Sequence, residues 1–164
     1  HYTGKNTQGN NSIAIGHQAG LTDQKKSSVA IGFLSGKTEQ KEFAIAMGTQ
    51  AGETDQGKLA TAIGLQAGFD DQGNNSIAIG PYAGWISQKN KAVANGYEAG
   101  KTNQGKKSIA LGYRAANTGQ AAIIGQPAST FYIGKDCIGN KPSIGNSHKS
   151  LYFDTDTGEI FYHL

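Results

Sequence analysis

A strict sixteen-residue repeat runs through most of this chain of 164 residues. When each repeat is numbered from position 1 to position 16, starting at His1, glycine occupies positions 4 and 16 seven times each. Alanine occupies position 14 seven times, and glutamine occupies position 8 eight times. Residues 1–112 therefore hold seven repeats without an insertion or a deletion. A short fixed period indicates stacked units that bury their faces against one another, and sixteen residues suit one coil of a parallel β-solenoid.

The best strand of each repeat is the segment Ser-Ile-Ala-Ile-Gly, as in Ser12–Gly16 and Ser76–Gly80. Bulky apolar residues at positions 13 and 15 alternate with small residues at positions 12, 14 and 16. The strand has no polar face, and strands of this kind are covered on both sides. One side can face the solenoid interior. Because a thin coil has little to cover the other side, we expect a second chain there, and hence a homo-oligomer.

The chain contains 24 glycines but only 3 prolines, and charged residues make up 16% of it. Such a composition is also found in flexible linkers, but the regular spacing of the glycines argues against disorder. We expect the Ala-Gly and Gln-Gly or Gln-Lys pairs to form corners, where glycine supplies a positive φ. The glutamines at position 8 are predicted to form a ladder of side-chain amides between coils.

These strands resemble the Ser-Val-Ala-Ile-Gly head repeat of the YadA-like trimeric autotransporter adhesins. The segments that carry the resemblance, two of them preceded by the motif's asparagine (Asn11 and Asn75), are Ser12–Gly16, Ser28–Gly32, Ser76–Gly80 and Ser108–Gly112. The resemblance covers residues 1–125. It implies a left-handed parallel β-roll, a homotrimer, and a head that binds host surfaces or matrix.

The sequence also departs from that family. Its period of sixteen residues is longer than the family's usual one, and the 164 residues contain no neck motif, stalk or membrane anchor. Similar repeats occur in the fibres and spikes of large viruses and phages, an arrangement that this chain resembles more. The chain opens with His-Tyr-Thr-Gly rather than with Met or a signal peptide, so we interpret it as a piece of a longer protein.

We divide the chain into a β-roll, residues 1–125, and a C-terminal cap and trimerisation segment, residues 126–164. The repeat loses its register after Gln120, and aromatic residues then become frequent. Two apolar segments flank the turn Thr155–Gly158 and predict a β-hairpin. Solenoid ends need a cap to cover the last coil, and this segment is the candidate.

Charged residues are distributed unevenly over the sixteen positions of the repeat. Positions 9–11 hold eight lysines and one acid, Glu42, whereas positions 5–7 hold six acids and three lysines. One interpretation is a solvated surface with ion pairs between coils or chains. The other is a basic corner that captures an anionic glycan, with Lys89 and Lys91 as candidate ligand-binding residues. Nucleic acid is not expected as a partner, because no aromatic series alternates with the lysines.

Aromatic residues at the corners of the later coils form the second candidate surface. Phe69 and Trp85 occupy position 5 of adjacent coils, which should make them neighbours because adjacent strands lie about 4.8 Å apart. Tyr82, Tyr97 and Tyr113 occupy positions 1 and 2 of successive coils. These side chains are predicted either to stack on a sugar ring or receptor side chain, or to pack against another subunit.

Other activities are not expected. The single cysteine, Cys137, excludes an internal disulfide, and the four scattered histidines form no visible catalytic pair. We therefore predict no enzyme activity, no cofactor and no metal. No apolar run approaches the ~18 residues of a membrane span, so this segment is not expected to insert into a membrane.

The sequence thus predicts a trimeric adhesion or receptor-binding head, exposed on a virion or a bacterial cell. Its partner would be a receptor or glycan of the host surface or cell wall, bound multivalently by three weak sites. Two alternatives stay open at this stage. One is a purely structural trimeric spacer or tip without a ligand of its own, and the other is a bacterial surface adhesin that binds a matrix protein.

Overall fold

The computed structural model describes Gly4, residues 6–117, and the two short segments Leu151–Phe153 and Ile160–Tyr162. Residues 6–117 form a parallel β-solenoid with two sheets, and no helix occurs in this range. The all-β solenoid predicted from the repeat is therefore confirmed. The left-handed course and the trimer stay predictions.

Sheet A is formed by the strands at positions 6–8 of the first five coils, in the spatial order β1-β3-β5-β7-β9. Their bounds are β1 (Asn6–Gln8), β3 (Thr22–Gln24), β5 (Thr38–Gln40), β7 (Thr54–Gln56) and β9 (Asp70–Gln72). Single parallel bridges from Asp70 to Ile86 and from Ile86 to Thr102 continue the sheet into the next two coils.

Sheet B is formed by the strands at positions 13–15 of all seven coils. Their bounds are β2 (Ile13–Ile15), β4 (Val29–Ile31), β6 (Ile45–Met47), β8 (Thr61–Ile63), β10 (Ile77–Ile79), β11 (Val93–Asn95) and β12 (Ile109–Leu111). Each residue in these strands pairs with the residue one repeat away in the neighbouring strand, as Ala14 does with Ala30. The register of the sequence repeat is therefore the register of the sheet.

The interior is built from glutamine and alanine rather than from large aliphatic residues. Among the described residues, the largest fully buried side chains are the glutamines at position 8, from Gln24 to Gln104. The alanines at position 14, from Ala30 to Ala110, are also fully buried. Thus the small face of the strand in sheet B points inward, and the bulky face points outward.

The predicted amide ladder is confirmed. Gln56 Nε2 donates to Gln72 Oε1 at 3.1 Å, and the same bond recurs between each successive pair of glutamines from Gln24 to Gln104. Gln56 Nε2 also donates to the backbone oxygen of Ile45 in sheet B at 2.7 Å. The glutamines therefore link neighbouring coils and also link the two sheets across the interior.

Two turns connect the sheets in each coil. The first turn, positions 9–11, leads from sheet A to sheet B, and the second turn, position 16 to position 5 of the next coil, leads back to sheet A. Glycine takes a positive φ at both ends of the second turn, for example +132° at Gly32 and +50° at Gly36. A Cβ at Gly32 would lie 2.4 Å from the backbone oxygen of Gly48, so this position also allows close stacking of coils.

The expected role of glycine at the first turn is wrong. The residue with positive φ there is at position 11, not at position 9, as in Asn11 (59°), Leu59 (58°) and Asn75 (57°). Asparagine tolerates this left-handed conformation better than most residues. The conformation therefore explains why Asn precedes the Ser-Ile-Ala-Ile-Gly segment twice.

The chain divides into two compact units, His1–Tyr132 and Ile133–Leu164. In the second unit β13 (Leu151–Phe153) pairs antiparallel with β14 (Ile160–Tyr162), as the predicted hairpin requires. The turn between these strands and the rest of the predicted cap lie outside the described residues. The capping role stays a prediction.

Candidate functional site

Five aromatic side chains form a continuous cluster along the second turns of the later coils. This aromatic cluster consists of Phe69, Tyr82, Trp85, Tyr97 and Tyr113. The ring centroids of Phe69 and Trp85 lie 6.1 Å apart, as their shared position predicted. Tyr82 meets Trp85 and Tyr97 edge-on, at 6.4 and 6.1 Å, and Tyr97 stacks on Tyr113 at 5.4 Å. The structure thus brings together all five predicted aromatic residues.

The exposure of the five rings to solvent differs along the cluster. Phe69, Tyr82 and Trp85 are half-buried, whereas Tyr97 and Tyr113 are exposed by 40% and 71%. The inner three rings support one another, and the outer two present ring surface to solvent. Large exposed aromatic side chains at a turn are typical of binding surfaces, because their packing is not needed to form the coil.

A lysine that the sequence reasoning missed lies over the inner rings. The ammonium of Lys101 is 5.4 Å from the centroid of Trp85 and 5.7 Å from that of Tyr82, within the range of a cation–π contact. Lys101 occupies position 5, as Phe69 and Trp85 do in the two preceding coils. That shared position is the signal from which it could have been found.

A nearly buried carboxylate holds two cations at the edge of the aromatic cluster. Glu98 Oε1 accepts from Lys101 Nζ at 2.8 Å, and Oε2 accepts from Arg114 Nε at 2.7 Å. The bond from Lys101, and then that from Arg114, lowers the pKa of Glu98, which therefore stays ionised. The guanidinium of Arg114 lies 5.5 Å from the ring centroid of Tyr113. Neither Glu98 nor Arg114 was predicted.

The indole nitrogen of Trp85 is buried, and it has no hydrogen-bond acceptor among the described residues. An unpaired buried donor costs about 1–3 kcal/mol, and indole N–H groups usually find a partner. The solenoid repeat does not require tryptophan at this position, since other coils carry Leu21, Lys37 or Glu53 there. Trp85 is thus poorly explained by the needs of the fold alone.

The two predicted lysine ligands do not join the aromatic cluster. Lys89 and Lys91 lie on the first turn of their coil, whereas the aromatic residues lie on second turns. Lys89 forms an ion pair with Asp71 at 2.8 Å. Lys91 is exposed and has no ion pair with any described residue. The site therefore combines the predicted aromatic residues with a different set of charges.

The predicted ion pairs between coils are present on the first turns and sheet A. Lys41 pairs with Asp55 of the next coil at 2.7 Å, a bond that raises the pKa of this lysine. Glu42 is shared by Lys26 and Lys58, at 3.7 and 2.9 Å. Five of the eight lysines at positions 9–11 are thus paired with a carboxylate in the described part of the chain.

The outer face of sheet B forms a second candidate surface. Its side chains at positions 13 and 15 are aliphatic in most coils, and several are more than one-third exposed: Ile13, Ile15, Met47, Ile63, Ile77, Ile79 and Leu111. A monomeric protein rarely exposes so long a row of aliphatic side chains. This face is the one for which the sequence predicted a covering chain.

The described residues contain no group of three or more His, Cys, Asp or Glu side chains that could hold a metal ion. In that same part of the chain, no helix has the length and apolar character needed to cross a membrane.

Comparison with known proteins supports the resemblance seen in the repeat. The family model of the YadA head domain repeat matches two segments of the chain, residues 6–19 and 72–83. Neither a curated protein nor a solved structure matches the chain. Together with the parallel β-solenoid, the two matches show that the chain carries YadA-like head repeats.

Proposed function

We propose that these YadA-like head repeats form an adhesin-like head that is exposed on a surface and binds a glycan of a host cell. The carrying observation is the aromatic cluster, whose five rings form a continuous series at repeat positions 1, 2 and 5, which the repeat leaves variable. Exposed aromatic faces stack on the apolar faces of sugar rings, and nearby charged groups bond sugar hydroxyls. The proposed function therefore uses the second turns of the fifth to eighth coils.

The proposed head is a homotrimer whose chains pack through the outer face of sheet B. Burying the exposed aliphatic side chains of this face would remove apolar area from water, at about 25 cal/mol for each Å². Three copies of one weak glycan site then gain avidity on a surface that displays repeated sugars. This arrangement accounts for both surfaces, one for assembly and the other for attachment.

Binding of the chain to a glycan array and to host cells tests the role of the aromatic cluster. Trp85→Ala and Phe69→Ala are expected to abolish most of the binding, and circular dichroism of each variant checks that the solenoid stays folded. Phe33→Ala is the matched control, because Phe33 is an exposed aromatic residue that stacks on His17 outside the cluster. Equal binding by all three variants and the parent chain would contradict the proposal.

Light scattering tests the trimer separately. The parent chain should have three times the 17.1 kDa mass of one chain. Ile63→Asp, on the outer face of sheet B, should reduce the mass to that of one chain, whereas Thr54→Asp on sheet A should leave the trimer intact. A monodisperse monomer of the parent chain would refute the assembly.

A structural spacer is the second candidate function, and the regular glutamine ladder favours it, since a continuous ladder stiffens a stack of coils. A spacer needs the ladder and the trimer but not the aromatic cluster. The array and cell experiment therefore separates the two functions. A stable trimer without any glycan or cell binding would support the spacer.

A further inference from the structure

We infer that the glycan taken by the aromatic cluster is acidic and that the terminal nitrogens of Arg114 bind its carboxylate. This inference rests on the proposed function and specifies the chemistry of its ligand. Glu98 carries one negative charge against the two positive charges of Lys101 and Arg114, so this trio has a net charge of +1.

The guanidinium of Arg114 is oriented by Glu98. Its Nε donates to Glu98 Oε2 at 2.7 Å, and its two terminal nitrogens make no hydrogen bond to any described residue. Glu98 is itself held by Lys101 and is only 6% exposed, so it is a fixed support. A guanidinium held in this way presents a planar pair of donors, which matches the two oxygens of a carboxylate.

Lys101 is used differently from Arg114. Its ammonium is bonded to Glu98 and lies over Tyr82 and Trp85, so it anchors the inner rings to the carboxylate. The surplus charge of the trio is therefore located on the more exposed arginine, beside the exposed ring of Tyr113. A ligand that places a ring on the tyrosines can place a carboxylate on Arg114.

The cluster is elongated along the solenoid. Phe69 belongs to the fifth coil and Arg114 to the eighth, and neighbouring coils are separated by about 4.8 Å. A single sugar is too short to contact the whole cluster, so the site fits a linear oligosaccharide that runs parallel to the solenoid axis. The carboxylate belongs to a sugar at the Arg114 end of this oligosaccharide.

The charge distribution disfavours a polysulfated chain. Such a chain requires several uncompensated cations in a row, whereas the trio supplies one net charge. The exposed lysines without an ion pair in the described part of the chain, Lys91, Lys106 and Lys107, lie on first turns instead. A sugar residue that carries a single carboxylate matches the single guanidinium that Arg114 provides.

Isothermal titration calorimetry of the whole chain tests the inference with defined probes. The acidic probes are a galacturonic acid tetrasaccharide and sialyl-lactose, and the neutral probes are the carboxyl-reduced tetrasaccharide and lactose. We expect at least one acidic probe to bind about tenfold more tightly than its neutral counterpart. Equal affinities, or the absence of binding by both acidic probes, would overturn the inference.

Variants assign the carboxylate to Arg114. Arg114→Gln should remove the preference for the acidic probe and leave the weaker neutral binding. Arg114→Lys, which keeps the charge but lacks the paired donors, should retain only part of the preference. Lys91→Gln is the matched control on the first turn and should bind as the parent chain does.

The outcomes also separate this inference from the proposed function. If Trp85→Ala abolishes binding while Arg114→Gln has no effect, the aromatic cluster binds glycans and the carboxylate assignment is wrong. A heparin tetrasaccharide that binds more tightly than both acidic probes and depends on Lys91 would replace it with a sulfated ligand on the first turns. Binding of a glutamate-rich peptide that depends equally on Arg114 would show that the site selects a carboxylate without a sugar.

Discussion

Sheets A and B enclose the same interior but have opposite requirements. The inward residue of sheet A is a glutamine that bonds along the stack and across to sheet B. The inward residue of sheet B is an alanine, which leaves room for the glutamine. Outside, sheet A carries threonine and acidic side chains, whereas sheet B carries aliphatic ones. Sheet A therefore presents a polar outer face to water, whereas the outer face of sheet B is apolar and, in the proposed trimer, is covered by another chain.

This difference shows that the interior of a thin solenoid can be stabilised by polar bonds. A coil of sixteen residues encloses too little volume for large aliphatic side chains from both sheets. The buried amides are satisfied because each glutamine from Gln24 to Gln88 donates to the glutamine of the next coil, whereas Gln24 Oε1 lacks a donor at the start of the ladder. The bulky residues are then available outside for assembly.

The largest effect should come from removing a glutamine from the middle of the ladder. Gln56→Ala deletes its bonds to Gln72 and Ile45 and leaves a donor of Gln40 and the Oε1 acceptor of Gln72 unpaired, at an expected cost of about 3 kcal/mol. Ala62→Gly, at the inward position of sheet B in the same coil, should cost about 1 kcal/mol. Denaturant unfolding followed by circular dichroism, at one fixed chain concentration, measures both. Equal losses of unfolding free energy would contradict the different roles given to the inward residues of the two sheets.

The next effect tests how closely the coils stack where sheet B enters the second turn. Gly32→Ala places a Cβ 2.4 Å from the backbone oxygen of Gly48, whereas a Cβ at Gly112 meets no described atom within 4 Å. Both glycines have a positive φ, 132° and 113°, so the conformational strain is shared. The first variant should be less stable than Gly112→Ala by about 2 kcal/mol. The difference in thermal unfolding isolates the contact between coils, and similar melting temperatures would refute it.

Much of this architecture could be predicted from sequence positions, because the repeat register is also the register of the sheets. The strand in sheet B, the glutamine ladder and the contact of Phe69 with Trp85 followed directly. The strand in sheet A was missed, although its repeated threonine is β-branched and favours strands.

Other features could not be derived from the pattern alone. Both faces of the strand in sheet B are apolar, so only the size of the glutamine opposite decides that alanine points inward. The net charge counted at each position also overestimated the positive charge of the first turns, because Lys41 and Lys89 form ion pairs with aspartates of neighbouring coils. The trio at the aromatic cluster escaped notice because its members occupy positions 2 and 5, which are otherwise variable.

A smaller effect, of opposite sign, is expected at the first turn, where the chain passes from sheet A to sheet B. Leu59 has a φ of 58°, a conformation that costs a non-glycine residue about 1 kcal/mol and is better tolerated by asparagine. Leu59→Asn should therefore stabilise the solenoid by up to about 1 kcal/mol. Leu65→Asn is the matched control, because Leu65 is a similarly exposed leucine without a positive φ. A gain at both sites, or at neither, would contradict the conformational explanation.

The smallest effect concerns pH and compares the two turns. Bonds from Lys101 and Arg114 lower the pKa of Glu98 on a second turn, and bonds from Lys58 and Lys26 lower that of Glu42 on a first turn. A lowered pKa stabilises the folded chain fully above the unfolded value, about 4.3 for Glu, and this stabilisation is lost as the pH falls through the folded value. The melting temperature of Glu98→Gln should thus be below that of the parent at pH 7, and the gap should narrow as the pH falls below the unfolded value. Glu42→Gln should show a smaller gap, because its ion pairs are more exposed to water and salt. Equal melting temperatures of Glu98→Gln and the parent at pH 7 would show that the charge of Glu98 does not stabilise the fold, and Arg114 would then lose the charged support that orients it.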